Sequence, residues 1–177
     1  MTIVELIAAF RTMSDDDTQP YLWSDNEITL YLKDAEMEAV SRARLIIESS
    51  GATYCEIALV NGTHTYDLNP LVLEVLRCKV GTALLARMDG DGLDTELPGW
   101  DDLTGAPKYY HLVGQKIRVA PTPTTSSTLK ITVSRLPISM ASTGPEIHAR
   151  FHLRLLDWVL HLAYQKRDSD ACSRCWR

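Results

Sequence analysis

The chain has 177 residues, 45% of them apolar and 23% charged, ordinary proportions for a globular protein with a buried core. Its net charge of −5 argues against sequence-independent binding of nucleic acid, which needs a basic face. No apolar run approaches the length that spans a bilayer, and residues 1–7 lack the basic start and cleavage site of a signal peptide. The chain is therefore expected to be made in a cytoplasm, with Cys55, Cys78, Cys172 and Cys175 as reduced thiols and no membrane contact.

Thr2 and Glu5 have capping-box spacing, and Ile3, Ile7 and Phe10 form a stripe, so the chain opens on a short helix. Residues 13–20 break it, and the run Asp15-Asp16-Asp17 reads as a solvated loop rather than a cation site. Ser24 and Glu27 form a second capping box, with Trp23 and Ile28 spaced as a hydrophobic staple. This second helix is expected to reach about Ser49 and to bury Ile28, Leu32, Ala35, Ala39, Ala43 and Ile46, with Gly51 ending it.

The period then changes. Residues 54–60, Asn61-Gly62 and residues 63–68 read as strand, type I′ turn and strand, a hairpin. Residues 72–80 make another strand, and residues 82–87 a shorter one. Residues 88–108, rich in Gly, Asp and Pro, read as a long loop. Trp100 within it is expected to plug into the domain or into a neighbouring subunit. Residues 109–113, Gly114-Gln115 and residues 116–119 form a second hairpin, and Leu129, Ile131 and Val133 alternate along a half-buried strand.

The final helix is expected over residues 145–167. Ile147, Phe151, Leu155, Val159 and Leu162 give it an apolar stripe, Pro145 and Glu146 suit its first turn, and Lys166 and Arg167 its last. Its stripe should pack on the second helix. The order of elements predicts an α+β fold in one domain over residues 1–177. A helical body, residues 1–50 and 145–167, would carry an inserted antiparallel β domain of four to six strands over residues 53–136, and residues 168–177 would be a loose tail.

Sites of chemistry are sparse. His148 and His152 are four apart, but Ala149 stands where a zinc protease has Glu, and no third ligand is near. Asp89 and Asp91 mimic the start of a calcium loop, but Leu93 occupies the third ligand position. Cys172-Ser173-Arg174-Cys175 is a lone C-x-x-C in a tail, without the second pair that a zinc site wants. The sequence has no phosphate-binding glycine loop and no nucleophile elbow. No catalytic residue, metal or cofactor is expected. Two other readings are a peptide- or sugar-binding β module with Trp100, Tyr109 and Tyr110 as its platform, and a metal-dependent hydrolase using His148 and His152.

Several ordered features resemble the head-to-tail adaptor proteins of tailed bacteriophages. They are Leu22-Trp23-Ser24-Asp25-Asn26-Glu27-Ile28; Pro98-Gly99-Trp100 followed by Gly105-Ala106-Pro107-Lys108-Tyr109-Tyr110; Ile117-Arg118-Val119-Ala120-Pro121-Thr122-Pro123; Ser134-Arg135-Leu136-Pro137; and Pro145-Glu146-Ile147-His148 with Leu155-Leu156-Asp157-Trp158. The likeness covers about residues 21–170. It implies a structural virion protein, not an enzyme, at the neck between head and tail. It further implies a ring of twelve copies that binds the portal protein and a tail or nozzle protein, with DNA passing through without sequence-specific binding. Trp100, Tyr109, Arg174, Trp176 and Arg177 are the candidate partner contacts, because Trp, Tyr and Arg most often anchor interfaces.

Overall fold

The computed structural model describes residues 1–138 and 144–174, with side chains described through residue 167. In chain order the elements are α1 (Ile3–Ser14), α2 (Asp25–Ala43), β1 (Ile47–Glu48), α3 (Ala52–Cys55), β2 (Glu56–Leu59), β3 (Thr65–Asp67) and β4 (Val72–Val80). They continue with β5 (Ala83–Leu84), β6 (Ala86–Arg87), α4 (Gly90–Glu96), β7 (Thr104–Gly105), β8 (Tyr109–Val113) and β9 (Lys116–Ala120). The last are β10 (Thr122–Pro123), β11 (Ser127–Arg135) and, after a 3-10 turn over Ala149–Phe151, α5 (His152–Arg174). The fold is α+β. The chain forms two compact units: Met1–Ile46 with Leu136–Arg177, and Ile47–Arg135.

The first unit is a helical cluster. Both capping boxes close as their spacing predicts: the Thr2 and Ser24 hydroxyls accept from the Glu5 and Glu27 N–H, and each Glu reaches back. Leu6 and Phe10 of α1, Ile28, Leu32, Ala35 and Val40 of α2, and Leu155, Leu156, Val159 and Ala163 of α5 form one core. Trp23 joins it edge-on to Phe10 and to Tyr164, each at 5.5 Å. Lys166 of α5 donates to Glu27. That bond, with those from Ser24, lowers the Glu27 carboxyl to about 2.

Three expectations fail here. Asp16 is not solvated: it is the buried partner of Arg11, 2.8 Å away, and also accepts the Leu22 and Trp23 N–H at 2.7 and 3.3 Å. Arg11 donates further to Asp25 at 2.5 Å and to the Trp23 carbonyl at 3.1 Å, so one cation folds the whole loop between α1 and α2. Next, α2 stops at Ala43, with Arg44 in the left-handed cap, instead of running to Ser49. Ile47 and Glu48 pair as a strand instead, which suits β-branched isoleucine. Ala43 is exposed, and Ile46 is buried but not on the helix.

The third failure is the start of the last helix. Residues 145–148 are not helical, and Glu36 takes the backbone donors of Glu146 and Ile147. Glu36 is 1% exposed, and its carboxylate accepts the Glu146 N–H at 2.5 Å and the Ile147 N–H at 3.2 Å. The helix then runs to Arg174, seven residues past its expected end, so residues 168–174 have helical backbone rather than the loose form expected of them. Residues 175–177 lie outside the described residues.

The second unit holds two larger sheets. In one, β11 pairs with β4, and β4 with β5, while β1 and β2 share the other side of β11. The other runs β3-β9-β8-β6, and β7 with β10 forms a short parallel pair. Their buried side chains, among them Leu59, Val75, Cys78, Ile117, Val119, Leu129 and Val133, make one core. The pairing of β4 with β11 shifts register twice, leaving Leu73 and Leu76 without an opposite residue. This converts the alternation of β4 to a spacing of three: Val72, Val75 and Cys78 point inward.

The β8–β9 hairpin forms as expected, with Gly114 at a φ of 58° in its two-residue turn. The first expected hairpin does not form. β2 pairs with β11 and β3 with β9, so Asn61-Gly62 carries the chain from one sheet to the other. Among the two turn residues only Gly62 has a positive φ, whereas a type I′ turn needs two. Tyr54 and Cys55 lie in α3, not in a strand, and the expected loop over residues 88–108 contains α4 and β7.

Burial raises the Glu36 carboxyl above its ordinary value. Between the unfolded and folded values the folded state holds a proton that the unfolded chain has released. Stability should therefore fall as pH climbs from the ordinary carboxylate range through the raised value. Glu36→Gln keeps an oxygen acceptor and should flatten that slope in urea titrations run from pH 4 to pH 8; an unchanged slope would contradict it. Glu36→Ala should lose about 1–3 kcal/mol, because it leaves buried N–H groups unsatisfied.

Candidate functional site

The sequence points to Trp100 and Tyr109, and the second unit shows what they do. Asp89 caps α4, its carboxylate accepting the Gly92 N–H at 2.9 Å, so it serves the helix. α4 brings Leu93 and Leu97 under Trp100, and Ala120 closes the small cluster with Met88 and Tyr109 against it. The indole N–H donates to Asp94 at 2.7 Å. The Arg118 guanidinium lies 4.2 Å from the indole centroid and pairs with Asp101 at 2.5 Å. His111 meets the indole edge-on, its Nδ1 3.0 Å from the Met88 carbonyl oxygen.

Trp100 is thus 8% exposed and plugged into its own unit, the first of the two placements its sequence allowed. Tyr110 is buried in the main β core, where desolvation raises its phenol, and Tyr109 is half-buried. These three rings form no exposed platform. Side chains beyond residue 167 are not described, so Arg174 is placed by its helical backbone alone, and Trp176 and Arg177 lie outside the described residues.

The two histidines are parted by their surroundings. Exposed His148 accepts the Arg150 N–H at 3.3 Å on Nδ1 and caps the 3-10 turn. His152 is buried, with Nε2–H donating to the Ile147 carbonyl at 2.9 Å and Nδ1 accepting from the Met1 amine at 3.0 Å. Both of its ring nitrogens are occupied. Among the described residues no three His, Cys, Asp or Glu side chains gather as a metal site. Cys55 and Cys78 are buried free thiols. Burial raises both, Cys78 to about 12, which holds it in the unreactive thiol form.

The sequence reading missed Glu36, Asp16 and Arg11. One signal for Glu36 was present: it follows Ala35 on the stripe of Ile28, Leu32 and Val40, where a carboxylate must find donors. These buried polar groups hold main chain and loops in place. A family model described as the SU10 adaptor protein matches residues 1–174, and the chain belongs to that family. It is a bacteriophage adaptor, a family whose role is structural rather than enzymatic. No curated protein matches the chain.

Trp100→Ala should destabilise the β unit by about 3–5 kcal/mol, as loss of a buried indole does. Chemical denaturation followed by β-sheet circular dichroism would measure it. A change below about 0.5 kcal/mol would mean that the indole is surface and free to serve a partner.

Proposed function

We propose that the chain is a ring-forming head-to-tail adaptor, with twelve copies seated on the portal protein, joining it to a tail or nozzle protein and continuing the DNA channel at the virion neck. The family match over residues 1–174 carries this reading. The helical unit supports it with a surface suited to neighbours. On α2, Leu30 is 63% exposed and Met37 41%, seven residues apart on the face turned from the core. We read this strip as part of the contact between copies. Its small area fits a subunit that is monomeric alone and assembles on a template, since obligate interfaces are larger and more apolar. Arg174, Trp176 and Arg177 would add a portal contact, through the residue types that anchor interfaces.

Native mass spectrometry tests the reading. The chain alone should run as a monomer, and mixed with its portal protein it should add as a ring, twelve copies per portal. No binding to the portal would overturn the proposal, and another copy number would overturn the ring size. Leu30→Glu with Met37→Glu should leave thermal unfolding of the monomer within about 0.5 kcal/mol of wild type, as surface changes do, yet abolish ring closure. Rings of normal size from the double variant would remove α2 from the contact.

A further inference from the structure

We propose that the β unit carries a binding pocket for a single carboxylate, supplied by an acidic segment of a partner protein. The pocket has a volume of about 210 Å³ and is lined by Ser49, Arg77, Lys79, Lys130, Ile131 and Thr132. It exists because the strand beside β11 is interrupted. β1 pairs with β11 only as far as Glu48 opposite Val133, and β2 begins pairing at Glu56 opposite Lys130. The intervening chain leaves the sheet through α3, so among the described residues β11 has no strand partner on that side at Ile131 and Thr132. Ile131 is buried toward the core, so by the alternation of a strand Lys130 and Thr132 point to the pocket side.

The charges on that face are paired against their own interest. Lys79 stands directly opposite Lys130 across the β4–β11 ladder, and Arg77 opposite Thr132. Like charges directly opposed destabilise a sheet. Glu56 relieves one of them, pairing with Lys130 at 3.2 Å. Arg77 and Lys79 form no ion pair among the described residues. Three cations and two hydroxyls thus converge on one concavity in a chain whose net charge is −5. An oxyanion placed there would answer the guanidinium with a charge-assisted bond and screen the two ammonium groups from each other.

The observations favour a protein carboxylate over nucleic acid. A concave pocket of this size takes one projecting head group, whereas a duplex needs a row of cations along a surface. This site is built from residues of the β unit alone and stands or falls without the ring.

The test uses the full chain and a fluorescein-labelled Asp/Glu hexapeptide, followed by fluorescence anisotropy, with inorganic phosphate and a labelled 20-base-pair duplex as competing probes. The peptide should bind saturably, weaken as salt rises, and lose at least tenfold in affinity in Arg77→Gln with Lys79→Gln. Glu56→Gln frees Lys130 and should tighten binding severalfold; it also serves as the readout if the double variant fails to fold. Absence of peptide binding, or unchanged affinity in both variants, overturns the proposal. Duplex binding tighter than peptide and lost in the same double variant also overturns it, in favour of nucleic acid. Displacement of the peptide by millimolar phosphate would support an anion-binding pocket, and failure to displace it would count against.

Discussion

The helical unit depends on one buried carboxylate. The chain leaves this unit after Ile46 and returns at Leu136, so its core must be closed by two distant stretches. Glu36, on the buried side of α2, holds the returning stretch by the N–H groups of Glu146 and Ile147. Burying a carboxylate costs several kcal/mol, and hydrogen bonds to charged groups are among the few that offset it. Residues 145–148 are not helical, and a 3-10 turn over Ala149–Phe151 precedes α5. His152 fixes the Ile147 carbonyl, and α5 begins at His152, about two turns later than its sequence suggests. The buried stripe of α5 is Leu155, Leu156, Val159 and Ala163, on the face its spacing predicts, while Phe151 and Leu162 are half-buried.

What the sequence revealed were local devices. Ser24 with Glu27 and Thr2 with Glu5 cap helices through contacts three residues apart, so their meaning travels with their spacing. Gly114 supports a turn between strands that do pair. The misses share one cause, competition from distant partners. Asn61-Gly62 looks like a hairpin turn, but β11 and β9 take the two flanking strands into different sheets. Asp16 looks solvated until Arg11, five residues earlier, is seen to need a buried partner. Val72, Val75 and Cys78 follow a spacing of three because two bulges reset the alternation, and nothing local marks a bulge. Trp100 is legible as a plug, but its Asp94 and Arg118 contacts are not, because the glycines and aspartates of α4 have the composition of a loop.

The same contrast bears on function. The polar groups that sequence motifs make conspicuous are used internally: Asp89 caps a helix, His148 caps a 3-10 turn, and His152 joins main chain to the Met1 amine. An adaptor works by what it presents to other proteins, and the presented features carry no motif. Leu30 and Met37 are plain residues on a helix face, and Arg77, Lys79 and Lys130 come together only through strand register. Family membership supplies the role, and these residues are the surfaces proposed for it.

Amide hydrogen exchange at Ile147 tests the central claim, that Glu36 closes the helical unit by holding the returning chain. The Ile147 N–H lies outside any helix, and among the described residues its acceptor is the Glu36 carboxylate. It should exchange as slowly as the amides of Leu32 and Leu156 in the helical core, opening only when the unit unfolds. Exchange at the rate of an unstructured peptide, with α2 and α5 still protected, would contradict the account.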